Sequence, residues 1–318
     1  MRTSPERCWS LRLPIFHAAA FMSYKSSVDP PSLAGAPISW GVCEVPGWGA
    51  MLPPSRVFGE MAGVGLRATE LGPVDDWLPL DGDAIRAALQ LYGLTLVGGF
   101  VPLALHVDDA RDAVERARVV ASAMRAAGAD TFVLALVADE AWSTPAPLDA
   151  LGWRRLAGNV EAVAEVTATL GMTTVVHPHQ GTMVERVEDI DRLASMTDVA
   201  WCLDPGHLGL GGYDPLEFAW RYGDRIGHVH LKDLDLTIAA EVAAGRLSLM
   251  AAVQAGLFLP LGEGDARIGE LVDLLAQQGY DGWMVLEQDC ALVDGVPADG
   301  AGPVRDVAAS LAFLGSLS

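Results

Sequence analysis

Basic residues are scarce: 21 Lys and Arg stand against 41 Asp and Glu, a formal net charge of −20 at pH 7. Contacts to a polyanion need clustered Lys and Arg. The sequence has no such cluster, which excludes nucleic acid as a general partner and leaves no arginine-built phosphate site. Cysteine is sparse too. Cys8, Cys43, Cys202 and Cys290 are far apart and form no CxxC pair, so neither a disulfide framework nor a zinc ribbon is expected, and a reducing cytoplasm is the simplest location. No apolar run approaches the roughly 18 residues expected of a membrane helix, so no membrane association is expected. A GxGxxG after the first strand and a P-loop are both missing. So are internal repeats, low-complexity tracts and any linker that would divide residues 37–318.

What is present is a globular chain of 318 residues, 51% hydrophobic and 19% charged, long enough to bury a large core. Its start does not join the pattern that follows. "LRLPIFHAAAFM" faintly imitates a signal peptide, but Pro14 and His17 interrupt it. Residues 1–36 read as a disordered leader or an upstream extension, with Met22 as a candidate initiator. From Pro37 onward, short runs rich in Val, Ile, Leu and Thr alternate with longer Ala/Leu/Arg/Glu segments of helical period. The strand candidates are "PISWGV", "RATEL", "LTLVGG", "TFVLAL", "MTTVVH", "DVAWCLD", "IGHVHL" and "GWMVLE". "DDARDAVERARVVASAMRAAG" and "RRLAGNVEAVAEVTATLG" read as helices closed by glycine. Most of the strands are apolar throughout, as in a parallel sheet buried on both faces. Eight such strand–helix units predict one α/β domain over 37–318, a (β/α)8 TIM barrel. A doubly wound sheet is the rival, weakened by the missing nucleotide-binding loops.

The histidines give this frame a chemistry. The chain has seven, and two lie within "VVHPHQGT". His177 and His179 end the fifth predicted strand, Asp204 and His207 ("LDPGH") the sixth, His228 and His230 ("HVHLKD") the seventh, and Glu287 ("VLEQD") the eighth. In a barrel these C-terminal strand ends converge on one face, where active sites are built. Each piece has a plain structural reading: a satisfied polar pair, a turn, a strand end. Together they would bury several imidazoles and carboxylates at one place, which is costly without compensation. A divalent cation is the natural compensation.

"HPHQGT", "CLDPGHLGLGGYDPLEFAWRYGDRIGHVHLKD", "PLGEGDARI" and "GYDGWMVLEQD" resemble the xylose isomerase-like barrel superfamily of sugar phosphate isomerases and epimerases. Within it they look most like the inosose dehydratase branch, and "PISWGV" and "ATELGP" fit that branch as well. The resemblance spans roughly residues 37–315. It implies one divalent metal held by His177, Asp204, His230 and Glu287. Many relatives have Glu at the first of these positions. His177 departs from that pattern and lowers the ligand charge from −3 to −2. Such an N2O2 set leans towards manganese, cobalt or zinc rather than magnesium.

The resemblance further implies that the metal polarises a substrate carbonyl, acidifies the adjacent C–H and holds an enediolate, from which a β-hydroxyl is expelled or a proton returned elsewhere. Dehydration also needs a base and an acid. His179 is the first candidate for proton transfer, while by resemblance His207 touches substrate hydroxyls and Lys232 orients or protonates a substrate oxygen. His228 lies deeper on its strand and is expected to brace a ligand or pack in the core. Glu70 ("TELG") could bind a substrate hydroxyl or cap a helix, and Trp40 and Phe100 could wall the pocket or simply pack at its rim. His106, Cys43 and Cys202 are read as structural. The leading function is a metal-dependent dehydratase of a keto-cyclitol such as 2-keto-myo-inositol. A ketose epimerase or isomerase on the same scaffold is the alternative, and a non-catalytic metal-bearing binding subunit a remote third. The DNA-repair endonucleases that share the barrel need a basic groove, which a charge of −20 argues against. The partner is thus a small polyol ketone or sugar. The sequence is compatible with a homo-oligomer and does not demand one.

Overall fold

The computed structural model describes residues 32–74 and 77–317. Its barrel strands are β1 (Ser32–Gly35), β2 (Ala68–Leu71), β3 (Thr95–Leu103), β4 (Thr131–Leu136), β5 (Thr173–Val176), β6 (Ala200–Leu203), β7 (Ile226–Leu231) and, after a short antiparallel pair β8 (Asp233–Leu234) and β9 (Phe258–Leu259), β10 (Trp283–Leu286). They close in the order β1-β10-β7-β6-β5-β4-β3-β2, every neighbouring pair parallel. Around them run α1 (Pro54–Gly63), α2 (Gly82–Gln90), α3 (Arg111–Ala127), α4 (Ala150–Thr169), α5 (Val187–Ala194), α6 (Pro205–Leu210), α7 (Pro215–Tyr222), α8 (Leu236–Ala243), α9 (Leu249–Gln254), α10 (Ile268–Gln277) and α11 (Pro303–Ser316). This is the predicted TIM barrel.

Strand alternation divides the apolar residues into two layers. Outward residues such as Phe132, Leu134, Trp201, Leu203, Val229 and Leu231 join the helices in one large core. Inside the barrel the apolar filling is small: Ala34, Ala36, Ala68, Val97 and Val285 form one cluster, and Val133, Val175 and Cys202 another. The interior positions nearer the C-terminal strand ends are where the polar residues gather. Local signals set the helix boundaries. The Asp149 carboxylate accepts from Gly152 N at 2.7 Å to begin α4, and α3 ends where Gly128 takes a φ of +114°.

Two expectations change. "PISWGV" is not the first strand: Pro37–Trp40 is a 3₁₀ turn that ends at Gly41 with φ +76°. Pro37 has no N–H to give a ladder, whereas Ser32–Gly35 pairs residue for residue with Trp283–Leu286 and closes the barrel. Ser32–Gly35, inside the stretch read as a leader, is therefore part of the barrel. The rest of that stretch, Met22 included, lies outside the described residues. "LTLVGG" is also only the start of its strand, since β3 continues through Pro102 to Leu103, pairing with β4.

Candidate active site

The strand ends deliver their side chains to one place. His177 follows β5, and its N–H extends the ladder to Leu134 O at 2.9 Å. Glu287 follows β10 in the same way, with its N–H on Leu231 O at 3.0 Å. Asp204 follows β6 and caps α6: Oδ1 accepts from His207 N at 3.0 Å, leaving Oδ2 to face the centre. His230 and Lys232 come from β7 and its end, on the face opposite Val229 and Leu231. The β6–β7 register slips between Trp201 and Cys202, and the β2–β3 register between Thr69 and Glu70. Such irregularities re-aim side chains beside functional sites. Gly206 in "DPGH" is there for space, because a Cβ would stand 2.7 Å from the Lys232 stem.

The four expected ligands approach one another in a chain of pairs. His177 Nε2 lies 3.3 Å from Asp204 Oδ2, His230 Nδ1 lies 3.1 Å from Glu287 Oε2, and His230 Nδ1 lies 3.7 Å from Asp204 Oδ2. Donor atoms about 2.1 Å from one tetrahedral ion stand about 3.4 Å apart, so these spacings suit a shared cation. The hydrogen bonding points the same way. His230 gives its Nε2–H to Glu70 Oε1 at 3.2 Å. Burial disfavours a charged ring, but Cys202, Glu287 and Glu70 outweigh it and raise His230 well above the usual histidine range. It is therefore a cation that would displace the Nδ1 proton and take the lone pair facing two carboxylates. Nδ1 of His230 is buried without a hydrogen-bond partner. A cation would satisfy lone pairs that otherwise oppose one another. Two triads that share His230 (His177, Cys202, His230; Glu70, His228, His230) and a separate one (Asp204, His207, Glu287) each bring ligand-type atoms within 4.8 Å.

The expected proton-transfer residues line the same centre. The His179 and His207 rings lie 3.8 Å apart, and Lys232 Nζ is 3.1 Å from His207 Nε2. His179 donates from Nδ1 to Gln180 O at 2.8 Å, which leaves Nε2 as its basic nitrogen. Burial, with the neighbouring His177 and Lys232, holds His179 well below the usual histidine range. Burial, His179 and Lys232 do the same to His207. Lys232 is the opposite case: burial disfavours its charge, but Asp204, Asp289 and Glu287 outweigh that and raise it well above the usual lysine range. Its ammonium reaches Glu287 Oε1 at 2.6 Å, Asp289 Oδ1 at 2.9 Å and Asp204 Oδ2 at 3.4 Å, and lies 4.9 Å from the Phe258 ring centre. A histidine whose charged form is disfavoured and a lysine whose charged form is favoured thus share one pocket.

The remaining expectations divide. Phe100 stands edge-on to His177 at 5.8 Å and tilted against His179 at 5.5 Å, as a pocket wall would. Trp40 does not: it is fully buried, and its indole N–H is given to Glu60 at 2.9 Å, because the 3₁₀ turn carries it into the outer core. Glu70 is not at the pocket surface either. Its carboxylate is buried beneath His228 and His230, 2.8 and 3.2 Å from their Nε2 atoms. Burial raises its pKa, but the two histidines prevail and hold it well below the usual carboxylate range. His228 is fully buried in that contact, in keeping with a bracing role. Two residues went unforeseen. Asp289 is buried against Lys232, and burial together with Glu287 pushes it up to about 6. Its signal was its place two residues beyond Glu287. Trp142, at φ +55°, stacks on Phe100 at 6.2 Å and 8° and tilts against His179 at 5.4 Å. It comes from the loop after β4, whose path no sequence pattern announces.

The profile of the family described as Xylose isomerase-like TIM barrel matches residues 58–316. An inosose dehydratase of Geobacillus kaustophilus (strain HTA426) is 32% identical over 279 residues, covering 83% of this chain and 89% of that protein. The rhizopine catabolism protein MocC of Rhizobium meliloti is 31% identical over 285 residues, covering 87% and 85%. Among solved structures, a D-allulose 3-epimerase from Methylomonas sp. in complex with D-allulose superposes with a TM-score of 0.64 at 14% identity, over 91% of this chain and 98% of that one, a likeness of fold.

Proposed function

Because the chain belongs to the xylose isomerase-like TIM barrel family and is an enzyme of it, we propose that it is a cation-dependent dehydratase of a keto-cyclitol, the class of substrate named by its inosose dehydratase relatives. The observation that carries this reading is the packing of His179, His207 and Lys232, with the two rings 3.8 Å apart and Nζ 3.1 Å from His207 Nε2, beside the contacts of His177 with Asp204 and of His230 with Glu287. His177, Asp204, His230 and Glu287 would hold the cation, a set that suits zinc, cobalt or manganese better than magnesium. When bound, the cation would polarise the substrate ketone and so acidify the neighbouring C–H.

The protein's own residues supply the proton traffic. His179 Nε2 takes the proton from the carbon beside the ketone, its ring held by the Nδ1–H bond to Gln180 O. Lys232, in contact with His207, gives a proton to the departing hydroxyl, which leaves as water. Phe100 and Trp142 offer aromatic faces to the C–H faces of a cyclic polyol. Epimerisation would call for a second base across the cation. Asp204 and Glu287, the carboxylates nearest the centre, are both drawn to Lys232 and occupied as ligands. The free thiols Cys43, Cys202 and Cys290 suit a cytoplasmic setting, and no described helix is long and apolar enough to cross a membrane.

The test is incubation of the metal-loaded protein with 2-keto-myo-inositol and, separately, with a panel of ketoses. Growth of ultraviolet absorbance from an unsaturated diketone-type product supports dehydration. Turnover of a ketose without a chromophore would instead make the protein an epimerase.

A further inference from the structure

Glu70 sits behind the cation site, and several features of the fold exist to put it there. Alternation along β2 puts Glu70 on the same inward face as Ala68, and the β2–β3 pairing slips by a residue so that Gly98 stands opposite it. Opposite it, Gly98 keeps the space open: a Cβ there would press to 3.1 Å from Thr131 O and 3.5 Å from Glu70 Oε1. The carboxylate is 3% exposed, and Oε1 alone takes both imidazole contacts, 2.8 Å from His228 Nε2 and 3.2 Å from His230 Nε2. A carboxylate accepts and cannot donate, so both rings must present Nε2–H to it. With a cation bound the ring must be neutral, and His230 would then have its lone pair on Nδ1, the atom that faces Asp204 and Glu287.

We propose that Glu70 is a positioning residue for the cation: it fixes His230 as the Nε2–H tautomer, aims Nδ1 at the ion, and places a third negative charge one imidazole behind Asp204 and Glu287. This rests on the cation-site reading above. His228 has its own part, as the second donor that anchors the carboxylate from below. The arrangement explains why β7 carries two inward histidines where one ligand would suffice. A carboxylate bonded to a ligating imidazole makes that ring a more basic donor and holds its orientation, and losing such a partner typically weakens metal binding about 10–100-fold.

The test measures the dissociation constant for Zn2+ alone, by competition with a chromophoric chelator, on full-length wild type, Glu70→Gln and Glu70→Leu. It also reads histidine tautomers in the Zn2+-loaded wild type by nitrogen-15 NMR. Gln retains an Oε1 that accepts both N–H groups but carries no charge, whereas Leu removes the acceptor. The expected order is wild type tightest, Glu70→Gln intermediate, and Glu70→Leu weaker than wild type by about 10–100-fold, with His230 protonated on Nε2. Equal affinity in wild type and Glu70→Gln, or a His230 protonated on Nδ1, overturns the proposal. Neither of those readings depends on the Leu variant folding. Failure of wild type itself to bind Zn2+ would overturn the cation site, and is distinguishable from a loss confined to the Glu70 variants.

Discussion

At the scale of single residues, environment assigns different tasks to similar side chains. His177 and His179 are two positions apart in "HPH", yet one ring meets Asp204 and the other turns to Gln180 O and the aromatic wall. His179→Gln should therefore keep the metal and the fold while the rate falls about 10²–10⁴-fold. Metal content and turnover measured on the same sample check this, and loss of metal would exchange the two roles. The sign of the pH dependence follows from the same ring. Burial, His177 and Lys232 all lower its pKa, and a cation nearby pushes the same way, so the neutral base persists to below the usual histidine range. Activity should stay level as pH falls through 6.5 and drop only at lower pH, and the variant should lack that limb. Residue 177 tests the ligand charge. His177→Glu should retain the ion but shift preference towards manganese or magnesium, read from competition between metals. An unchanged preference would place His177 outside the ligand set.

At the scale of elements, the loops after β7 are held by one side chain. Asp233 is buried, and its two oxygens accept from Leu234 N at 3.0 Å, Gly262 N at 2.9 Å, Gly264 N at 3.0 Å and Ala266 N at 2.9 Å. This is what folds "PLGEGDARI". Gly264 must be glycine, since a Cβ would stand 2.4 Å from Asp233 Oδ1. The turn also carries Arg267, at φ +57°, to the start of α10. Asp233→Ala strands several N–H groups at once, and each buried one left unpaired costs about 1–3 kcal/mol. Chemical denaturation should show a loss of at least about 3 kcal/mol. A loss under about 1 kcal/mol would mean that the loop keeps its shape without this carboxylate.

At the scale of the whole molecule, the barrel collects donors from segments more than a hundred residues apart, from His177 to Glu287. A cation bound there ties β5, β6, β7 and β10 together and has no equivalent site in the unfolded chain. Free metal at 100 times its dissociation constant should stabilise the fold by about 2.7 kcal/mol. Thermal unfolding should shift upward by several degrees on adding Zn2+ or Mn2+ and return on chelation. An unmoved transition at saturating metal would contradict a site inside the barrel.

The strand–helix rhythm was legible because parallel strands buried on both faces leave continuous apolar runs, and "TFVLAL" and "IGHVHL" match β4 and β7 end to end. The gathering of candidate donor residues was legible for a related reason. In a parallel barrel the C-terminal strand ends must converge, so a histidine or carboxylate closing an apolar run has its destination set by topology. The first strand was not legible: "SLAG" has little apolar signal of its own and is a strand because β10 and β2 flank it. Nor was the task of Glu70. Its placement one residue from the end of β2 suggested the pocket face, but two histidines from β7 lie over it, with a glycine opposite leaving it room, and these non-local partners bury it. Trp40 and Trp142 make the same point from loops, one drawn into the outer core and the other held against Phe100 and His179. Periodicity encodes which face of an element is buried. Which partner waits on that face depends on register and loop path, and those are settled only when the barrel closes.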